Sequence, residues 1–350
     1  MAAFSTNLLR TFNQPAARAA ISRSLVCLTL CALATAYPIR AQESAALKLT
    51  KTIPLPGVKG RFDHFAIDVK GRRLFVAALG NNTLEAVDIA AGNHLKSITG
   101  LHKPTGVLYL PEFNQLFIAN GDDRSLKIFD GSTYKLIRFI GSLDDADNMR
   151  YDEKAKLVYV GFGDGALAII DPVKQERVGE IKLKGHPESF QLETNGNRIF
   201  INVPDARQIA IADREKRKVI DEWQYKDYGG NFPMALAETK SRLFVAFRKP
   251  SRLLAFDISS GKIFDDVVIS DDADDLFYDA KRKRIYVSCG EGFIDILEWT
   301  PGQGYRPQPK IVTSPGARTS FFCPERDEFY LAVQHRGQQD AEIRTYLLQK

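Results

Sequence analysis

The sequence predicts an all-β fold, a seven-bladed β-propeller of four-stranded antiparallel blades. Three observations support this prediction. A short strand with a central aromatic residue recurs seven times at a nearly constant spacing. Runs of β-branched and aromatic residues alternate with Gly, Asn and Asp turns. Residues 42–350 also lack the sustained 3.6-residue apolar period that would indicate a helix.

The aromatic strand sets the period of the repeat. It occurs first as RLFVA (73–77) and last as EFYLA (328–332). Successive copies lie 41 to 44 residues apart, which is the length of a four-stranded propeller blade. The central aromatic residues are Phe75, Phe117, Tyr159, Phe200, Phe244, Tyr286 and Tyr330.

Each repeat contains the strands of one blade in the same order. In the first repeat, HFAID (64–68) leads through a polar turn into the aromatic strand, and a Gly/Asn turn leads into a third strand. A weaker fourth strand completes the unit. The third strand of five repeats ends near an acid, at Asp88, Asp130, Asp171, Asp213 and Asp257.

The last repeat has no fourth strand of its own, because the sequence stops after AEIRTYLLQK (341–350). The segment LKLTKTIPL (47–55) is a strand without a repeat. We therefore expect this N-terminal strand to pair with the last blade. That pairing would complete the seventh blade and cover two exposed strand edges.

Three segments carry a resemblance to a known repeat: LFVAALGNNTLEAVDIAAG (74–92), LVYVGFGDGALAIIDP (157–172) and IYVSCGEGFIDILE (285–298). They resemble the YVTN-type repeat of YncE-like exported bacterial β-propellers, and the resemblance covers residues 47–350. Relatives of that family include surface-layer proteins, a lactonase that hydrolyses 6-phosphogluconolactone, and haem-d1 and copper-centre propellers. The resemblance implies the fold and leaves the function open.

Residues 1–41 have the layout of a secretory signal peptide. Three arginines precede the apolar run Leu25–Leu33, small residues lead to Ala36 and Ala41, and no acid occurs before Glu43. The apolar run is too short to span a membrane. We expect cleavage after Ala41 or Ala36, one propeller domain over residues 42–350, and a periplasmic or secreted protein. An organelle transit segment is the alternative.

Charge and cysteines narrow the classes of function. Removal of residues 1–41 takes away four arginines and no acid, so the net charge falls from +5 to +1. A protein with almost no net positive charge is not expected to bind nucleic acid, because binding of the phosphate backbone depends on a basic surface. Cys289 and Cys323 should end strands at opposite faces of the ring, too far apart for a disulfide. We predict two free, largely buried thiols.

An acidic phrase occurs twice, as DDADNMRYD (144–152) and DDADDLFYD (271–279). The two copies lie three repeats apart, where the chain enters the innermost strands of blades 3 and 6. Because both copies occupy the same position within their repeats, they should lie at the same mouth of the central channel. In a ring of seven blades they should face each other nearly across that mouth. We therefore predict a polar site at this mouth, formed by the corresponding segments of several blades.

Oxygen ligands at this mouth indicate a candidate site for calcium or magnesium, which bind carboxylate and amide oxygens. The candidate ligands are Asp147, Asn148, Glu188, Asp274 and Asp275. The alternative is that these residues cap strands and turns and pair with nearby arginines.

Histidines and arginines supply candidate catalytic and ligand-binding groups. His64, beside an acid, is the candidate general base. Guanidinium and imidazole groups around the mouth would suit an anionic ligand. The candidate ligand-binding residues are Arg61, Asp63, Arg150, His186, Arg248, Arg318, His335 and Arg336.

Three functions remain open at this stage. The first is an exported binding protein that holds a small molecule or a protein or cell-surface partner at the mouth. The second is a lactonase-like hydrolase or lyase, with or without calcium or magnesium. The third is a haem- or copper-associated redox module. The sequence contains no G-x-S-x-G, P-loop or H-E-x-x-H motif that would select an enzyme class.

Overall fold

Seven antiparallel β-sheets form the blades of a ring around a central channel in the computed structural model, which describes residues 46–350. The innermost strand of each blade contacts the innermost strand of the next blade, and the seventh contacts the first. The all-β, seven-bladed propeller predicted from the repeat is confirmed. The predicted signal peptide lies outside the described residues.

The strands are numbered in chain order, beginning with β1 (Leu47–Leu55). Blade 1 contains β2 (Phe65–Asp68), β3 (Arg73–Ala78), β4 (Thr83–Asp88) and β5 (Asn93–Ile98). Blade 2 contains β6 (Pro104–Leu110), β7 (Gln115–Asn120), β8 (Ser125–Asp130) and β9 (Leu136–Ile140). Blade 3 contains β10 (Met149–Asp152), β11 (Leu157–Phe162), β12 (Ala166–Asp171) and β13 (Glu176–Lys182).

The next two blades repeat this order from the channel outwards. Blade 4 contains β14 (Phe190–Leu192), β15 (Arg198–Val203), β16 (Gln208–Asp213) and β17 (Lys218–Gln224). Blade 5 contains β18 (Gly229–Ala237), β19 (Arg242–Lys249), β20 (Ser251–Asp257) and β21 (Ile263–Val268).

The last two blades depart from the simple pattern. Blade 6 contains β22 (Ala273–Asp279), β23 (Arg284–Cys289), β24 (Phe293–Thr300), β25 (Gly304–Pro307) and β26 (Ile311–Val312), and its last two strands both pair with β24. Blade 7 contains β27 (Ser320–Cys323), β28 (Glu328–Val333) and β29 (Ala341–Leu348), with β1 as its outermost strand. In the described part of the chain, four single-turn 3₁₀ helices occupy turns, at Leu79–Asn81, Pro204–Ala206, Glu238–Lys240 and Pro324–Arg326.

The N-terminal strand closes the ring as the sequence predicts. β1 pairs antiparallel with β29, from Leu47 opposite Leu348 to Leu55 opposite Ala341. Ile53 and Leu55 have no exposed surface and pack into the core between blades 7 and 1. This pairing covers the outer edge of β29, which would otherwise be an open strand edge.

The aromatic strand of each repeat supplies the core between neighbouring blades. The seven aromatic residues that set the repeat are each at most 1% exposed. Phe75 packs with Leu116 and Ile118 between blades 1 and 2, and Tyr286 packs with Phe329 between blades 6 and 7. Burying one such side chain stabilises the fold by roughly 1.5–3 kcal/mol, which explains why this position recurs as an aromatic.

The acids at the ends of the third strands cap turns. Oδ1 of Asp88 accepts hydrogen bonds from the backbone N–H groups of Ala90 and Ala91, both at 2.8 Å. Asp130, Asp171 and Asp257 accept the equivalent pair of bonds. These repeated acids are therefore structural, because each satisfies two turn N–H groups that no strand partner reaches.

Both thiols in the described part of the chain, Cys289 and Cys323, are free and buried, as predicted. They lie at the ends of β23 and β27, in separate hydrophobic clusters. Within residues 46–350 no helix has the length and apolar character needed to cross a bilayer.

Candidate functional site

A cavity of about 410 Å³ opens at the end of the channel where the innermost strands begin. We call it the mouth cavity. All seven blades contribute to its lining, from Asp63 of blade 1 to Thr319 of blade 7. Twelve of the fourteen predicted site residues line it: Arg61, Asp63, His64, Asp147, Asn148, Arg150, His186, Glu188, Arg248, Asp274, Asp275 and Arg318.

The other two predicted residues, His335 and Arg336, do not line the mouth cavity. They lie in the loop that follows β28. The backbone of Arg336 forms an isolated bridge with Gln339, and its guanidinium donates a hydrogen bond to the carbonyl of Pro315. These contacts hold the Arg336 side chain against its own blade, so the prediction that both residues belong to the cavity site is wrong.

β-Bulges explain how pairs of consecutive residues reach the cavity. In blade 3 the N–H of Asp147 donates to the carbonyl of Gly161, and the N–H of Gly161 donates to the carbonyl of Asn148, both at 2.9 Å. Two residues therefore oppose one, which interrupts the alternation of a strand and re-aims the side chains. The same pattern sets Asp63 and His64 against Ala77, and Glu188 and Ser189 against Asn202.

The doubled acidic phrase occupies equivalent places in blades 3 and 6. Asp147 and Asp274, its corresponding acids, line the same cavity. The final acids of the two copies, Asp152 and Asp279, instead accept hydrogen bonds from turn N–H groups at the far ends of β10 and β22. The phrase thus combines residues that face the cavity with one that caps a turn.

His64 lies between two carboxylates. Its Nδ1 is 2.7 Å from Oδ1 of Asp63 and 3.6 Å from Oδ1 of Asp147. Burial by itself lowers the pKa of His64, but Asp63, Asp147 and Asp275 together outweigh burial and raise that pKa to about 10. His64 is therefore a cation at neutral pH. To act as the predicted general base, His64 would first have to release this proton, because an imidazolium has no free electron pair to accept one.

Arg248 and Arg318 neutralise the acidic phrase of blade 6. Nε of Arg318 lies 3.1 Å from Oδ2 of Asp274, and Nη1 of Arg248 lies 3.4 Å from Oδ1 of Asp272. Each arginine also pairs with the other aspartate. The guanidinium of Arg248 stacks 4.0 Å from the ring centre of Phe232. This network uses both arginines internally, as the pairing alternative predicted.

The five predicted metal ligands do not form one ligand set. Asp274 is paired with Arg248 and Arg318, and Oδ1 of Asn148 accepts a hydrogen bond from Arg150 at 3.2 Å. Within residues 46–350, the one group of three whose ligand atoms lie within 4.8 Å of one another is Asp63, His64 and Asp147. The compact group in the described chain therefore centres on His64 and includes one of the five predicted ligands, Asp147.

Four carboxyl groups that line the cavity are weaker acids than usual, mainly because they are buried: Asp147, Glu188, Asp274 and Asp275. The pKa of Glu188 is raised to about 8. Burial is the largest cause, and the neighbouring charges of Asp147 and Asp274 add to it. Burial likewise raises the pKa of Asp275 to about 7 and that of Asp147 to about 6. At neutral pH the carboxyl of Glu188 is mostly protonated, and it makes no side-chain hydrogen bond within the described chain.

Arg150 is the cation of the cavity that lacks an ionic partner. The other four arginines and lysines that line it, namely Arg61, Lys103, Arg248 and Arg318, each have a carboxylate oxygen within 4.0 Å. Among residues 46–350 no carboxylate is that close to Arg150. Burial lowers the pKa of Arg150, and Asp275 and Asp147 only partly offset this effect.

His186 lines the cavity without joining a cluster of histidines. Its Nδ1 lies 2.7 Å from the carbonyl of Gly163, which fixes the ring by a simple backbone hydrogen bond. His64 and His186 are the two histidines of the cavity lining. The described site thus offers few imidazoles for a copper centre, which favours several of them.

The channel below the mouth is more apolar. Its lining includes Ile67, Val107, Phe277 and Phe321, and it shares His64 with the mouth cavity. The rings of Phe277 and Phe321 lie with their centres 6.4 Å apart. The cavity is thus a polar opening above a more apolar channel, and the two share the ionisable residues His64, Arg150 and Asp275.

Several cavity residues were not selected from the sequence. Lys103 pairs with Asp145 at 3.2 Å, and Asp272 joins the arginine network. Phe232 supplies the stacking surface for Arg248. Lys103, Asp145 and Phe232 line the cavity, and Asp272 lies beside it. All four belong to the aligned segments that enter the innermost strands, but nothing in a single sequence shows which residues of those segments pair across blades.

Comparisons with known proteins identify the architecture. No protein-family model and no curated protein matches the sequence. Among solved structures, the chain is similar to one described as Kuenenia stuttgartiensis hydrazine synthase, with a TM-score of 0.70 and 14% identity over 82% of this chain and 99% of the other. It is also similar to a chain in a crystal structure of a mitotic checkpoint complex, with a TM-score of 0.74 and 12% identity over 94% of this chain and all of the other. At these identities the similarity shows the β-propeller fold alone.

Proposed function

We propose that this protein is an exported β-propeller of the YVTN type that binds a small polar ligand in the mouth cavity. The observation that carries this proposal is the convergence of charged side chains from separate blades on one cavity of about 410 Å³. Cavities of roughly 300–1,000 Å³ are the usual size for small-molecule sites. A propeller suits this role, because its rigid ring fixes distant residues around one axis.

The electrostatics of the cavity support ligand binding. Burial weakens the acidity of Glu188 and Asp275 and lowers the pKa of Arg150. Groups held away from water in this way destabilise the folded protein, and such perturbed groups concentrate at functional sites. A polar ligand would supply the hydrogen bonds and charges that water provides elsewhere.

A second candidate function is a hydrolase or lyase of the lactonase-like kind. The pKa values of about 7 for Asp275 and about 8 for Glu188 favour it, because acid–base catalysis works best with groups that titrate near the working pH. In this version one of these carboxyls, and not His64, would transfer the proton. A calcium or magnesium ion would require the group formed by Asp63, His64 and Asp147.

Thermal unfolding with a panel of small acids, amines, sugars and lactones tests the proposal. A ligand present at 100 times its Kd should stabilise the protein by about 2.7 kcal/mol and raise the Tm by several degrees. The stabilisation should be lost in Asp275→Asn and kept in Arg336→Gln, which changes an arginine outside the cavity. Stabilisation that survives Asp275→Asn would contradict the proposed site. Turnover of a lactone, lost in the same variant, would establish the second candidate instead.

A further inference from the structure

We infer that Arg150 is the anchoring residue for a carboxylate, and that the ligand of the mouth cavity is a small organic acid. This inference rests on the proposed function and makes it specific. Nothing in the predicted fold requires an arginine at this position, since the equivalent residue of blade 6 is Phe277. The hydrogen-bond donors of Arg150 that the protein leaves unused determine which group of a ligand it can hold.

One edge of the Arg150 guanidinium is occupied by protein. Nη1 donates to the carbonyl of Met149 at 2.7 Å and to Oδ1 of Asn148 at 3.2 Å. The guanidinium carbon lies 5.6 Å from the ring centre of Phe190, which restricts its position from the side. These contacts fix the group while leaving its other edge available.

The opposite edge, formed by Nε and Nη2, has no hydrogen-bond acceptor within residues 46–350. Two parallel N–H groups on one edge match the two oxygens of a carboxylate. Arg150 lines both the mouth cavity and the channel below it, so the residue lies at the junction where a ligand would rest. The other cavity arginines lack this property, because Asp63, Asp272 and Asp274 already pair with them.

Glu188 indicates the second feature of the ligand. Its carboxyl lines the same cavity from the neighbouring blade and has no side-chain partner in the described chain. A protonated carboxyl both donates and accepts hydrogen bonds, as a hydroxyl group requires. Because the Glu188 carboxyl lines the cavity without a side-chain partner, it is free to form a hydrogen bond with a hydroxyl group of the ligand. The ligand class is a small hydroxycarboxylic acid.

Isothermal titration with defined probes tests this inference. Glycolate, L-malate and tartrate are the hydroxycarboxylates, and glycolamide and malamide are their uncharged counterparts. Glycine and L-aspartate replace the hydroxyl by an ammonium group. At least one hydroxycarboxylate should bind at least tenfold more tightly than its amide and its amino counterpart at pH 7.

Substitution of Arg150 supplies the second arm. Arg150→Gln should weaken binding of that hydroxycarboxylate by about 10- to 100-fold, the effect of losing hydrogen bonds to a charged group. Arg150→Lys keeps the charge without the paired donors and should bind with intermediate affinity. Arg336→Gln should bind like the wild type. A wild-type-like unfolding midpoint and circular dichroism spectrum will identify variants that remain folded.

The possible results separate the two proposals. If the amides bind as tightly as the acids, or if both Arg150 variants bind like the wild type, the carboxylate inference is wrong while a small-ligand site stands. If glycine or L-aspartate binds as tightly as the matching hydroxycarboxylate, the hydroxyl part of the inference is wrong. If no probe of any charge binds and the broader panel also fails to raise the Tm, the proposed function is wrong together with the inference.

Discussion

The burial of Glu188 predicts an unusual dependence of stability on pH. The folded-state pKa of this group is raised from 4.5 to about 8. The folded protein therefore holds the proton more tightly than the unfolded chain, and the contribution of Glu188 to stability falls as the pH rises from about 4.5 to about 8. Such a difference corresponds to a cost on the order of 4 kcal/mol at pH 8.5.

Glu188→Gln removes the ionisable group and keeps its shape. Because the Glu188 carboxyl makes no side-chain hydrogen bond in the described chain, little is lost with it. We expect the variant to match the wild type near pH 4.5 and to exceed its stability at pH 8.5, with a Tm higher by several degrees.

Unfolding followed by tryptophan fluorescence at pH 4.5, 6, 7 and 8.5 measures this difference. Glu215→Gln, at an exposed turn position, is the matched control and should track the wild type at every pH. A difference between Glu188→Gln and the wild type that stays constant across this range, or a variant that is less stable at pH 8.5, would refute the reasoning.

Three further predictions concern the frame that holds the cavity. A Cβ at Gly106 would lie 2.1 Å from the carbonyl oxygen of Asp147, so Gly106→Ala should lower the free energy of unfolding by about 1–3 kcal/mol in a denaturant titration. Gly229→Ala, where the nearest atom to the new Cβ is 3.9 Å away, should lower it less. Equal effects of the two substitutions would contradict the close approach of blades 2 and 3. Ile53→Ala should destabilise the folded protein by about 2–5 kcal/mol, because Ile53 is fully buried. Thr52→Ala, at an exposed position of the same strand, should have little effect. An unchanged unfolding midpoint for Ile53→Ala would show that β1 does not close the ring. Burial raises the pKa of the Cys289 and Cys323 thiols, so an aromatic disulfide reagent should label neither in the native protein and both after unfolding; rapid native labelling would place a thiol at the surface.

The fold could be predicted because its determinants are local and repeated. A buried aromatic every 41 to 44 residues fixes the blade, and the unassigned strand at 47–55 fixes the closure. The additional outer strand of blade 6 was not predicted. Residues 308–310 interrupt the outer strand between β25 and β26, and both of these strands pair with β24.

The sequence predicted which side chains lie near one another but not their charge states or their pairing. Alignment of the segments that enter the innermost strands brings Asp147 and Asp274 together, because their position within the repeat is enough. The protonated state of His64 and the pairing of Arg318 depend on distances across blades. Such distances carry no signature in a single sequence. The lack of an ionic partner at Arg150 likewise becomes visible only once every neighbouring carboxylate has been located.

The pairing of β1 with β29 also constrains how the protein reaches its native state. These strands are almost 300 residues apart, so their contact closes a very long loop and must form late. During synthesis, the surface of blade 1 that packs against blade 7 stays exposed until the final strand has been made. A chain that ended before residue 341 would lack β29, the partner of β1. Its ring would not close, and its unpaired strand edges could pair with strands of other molecules.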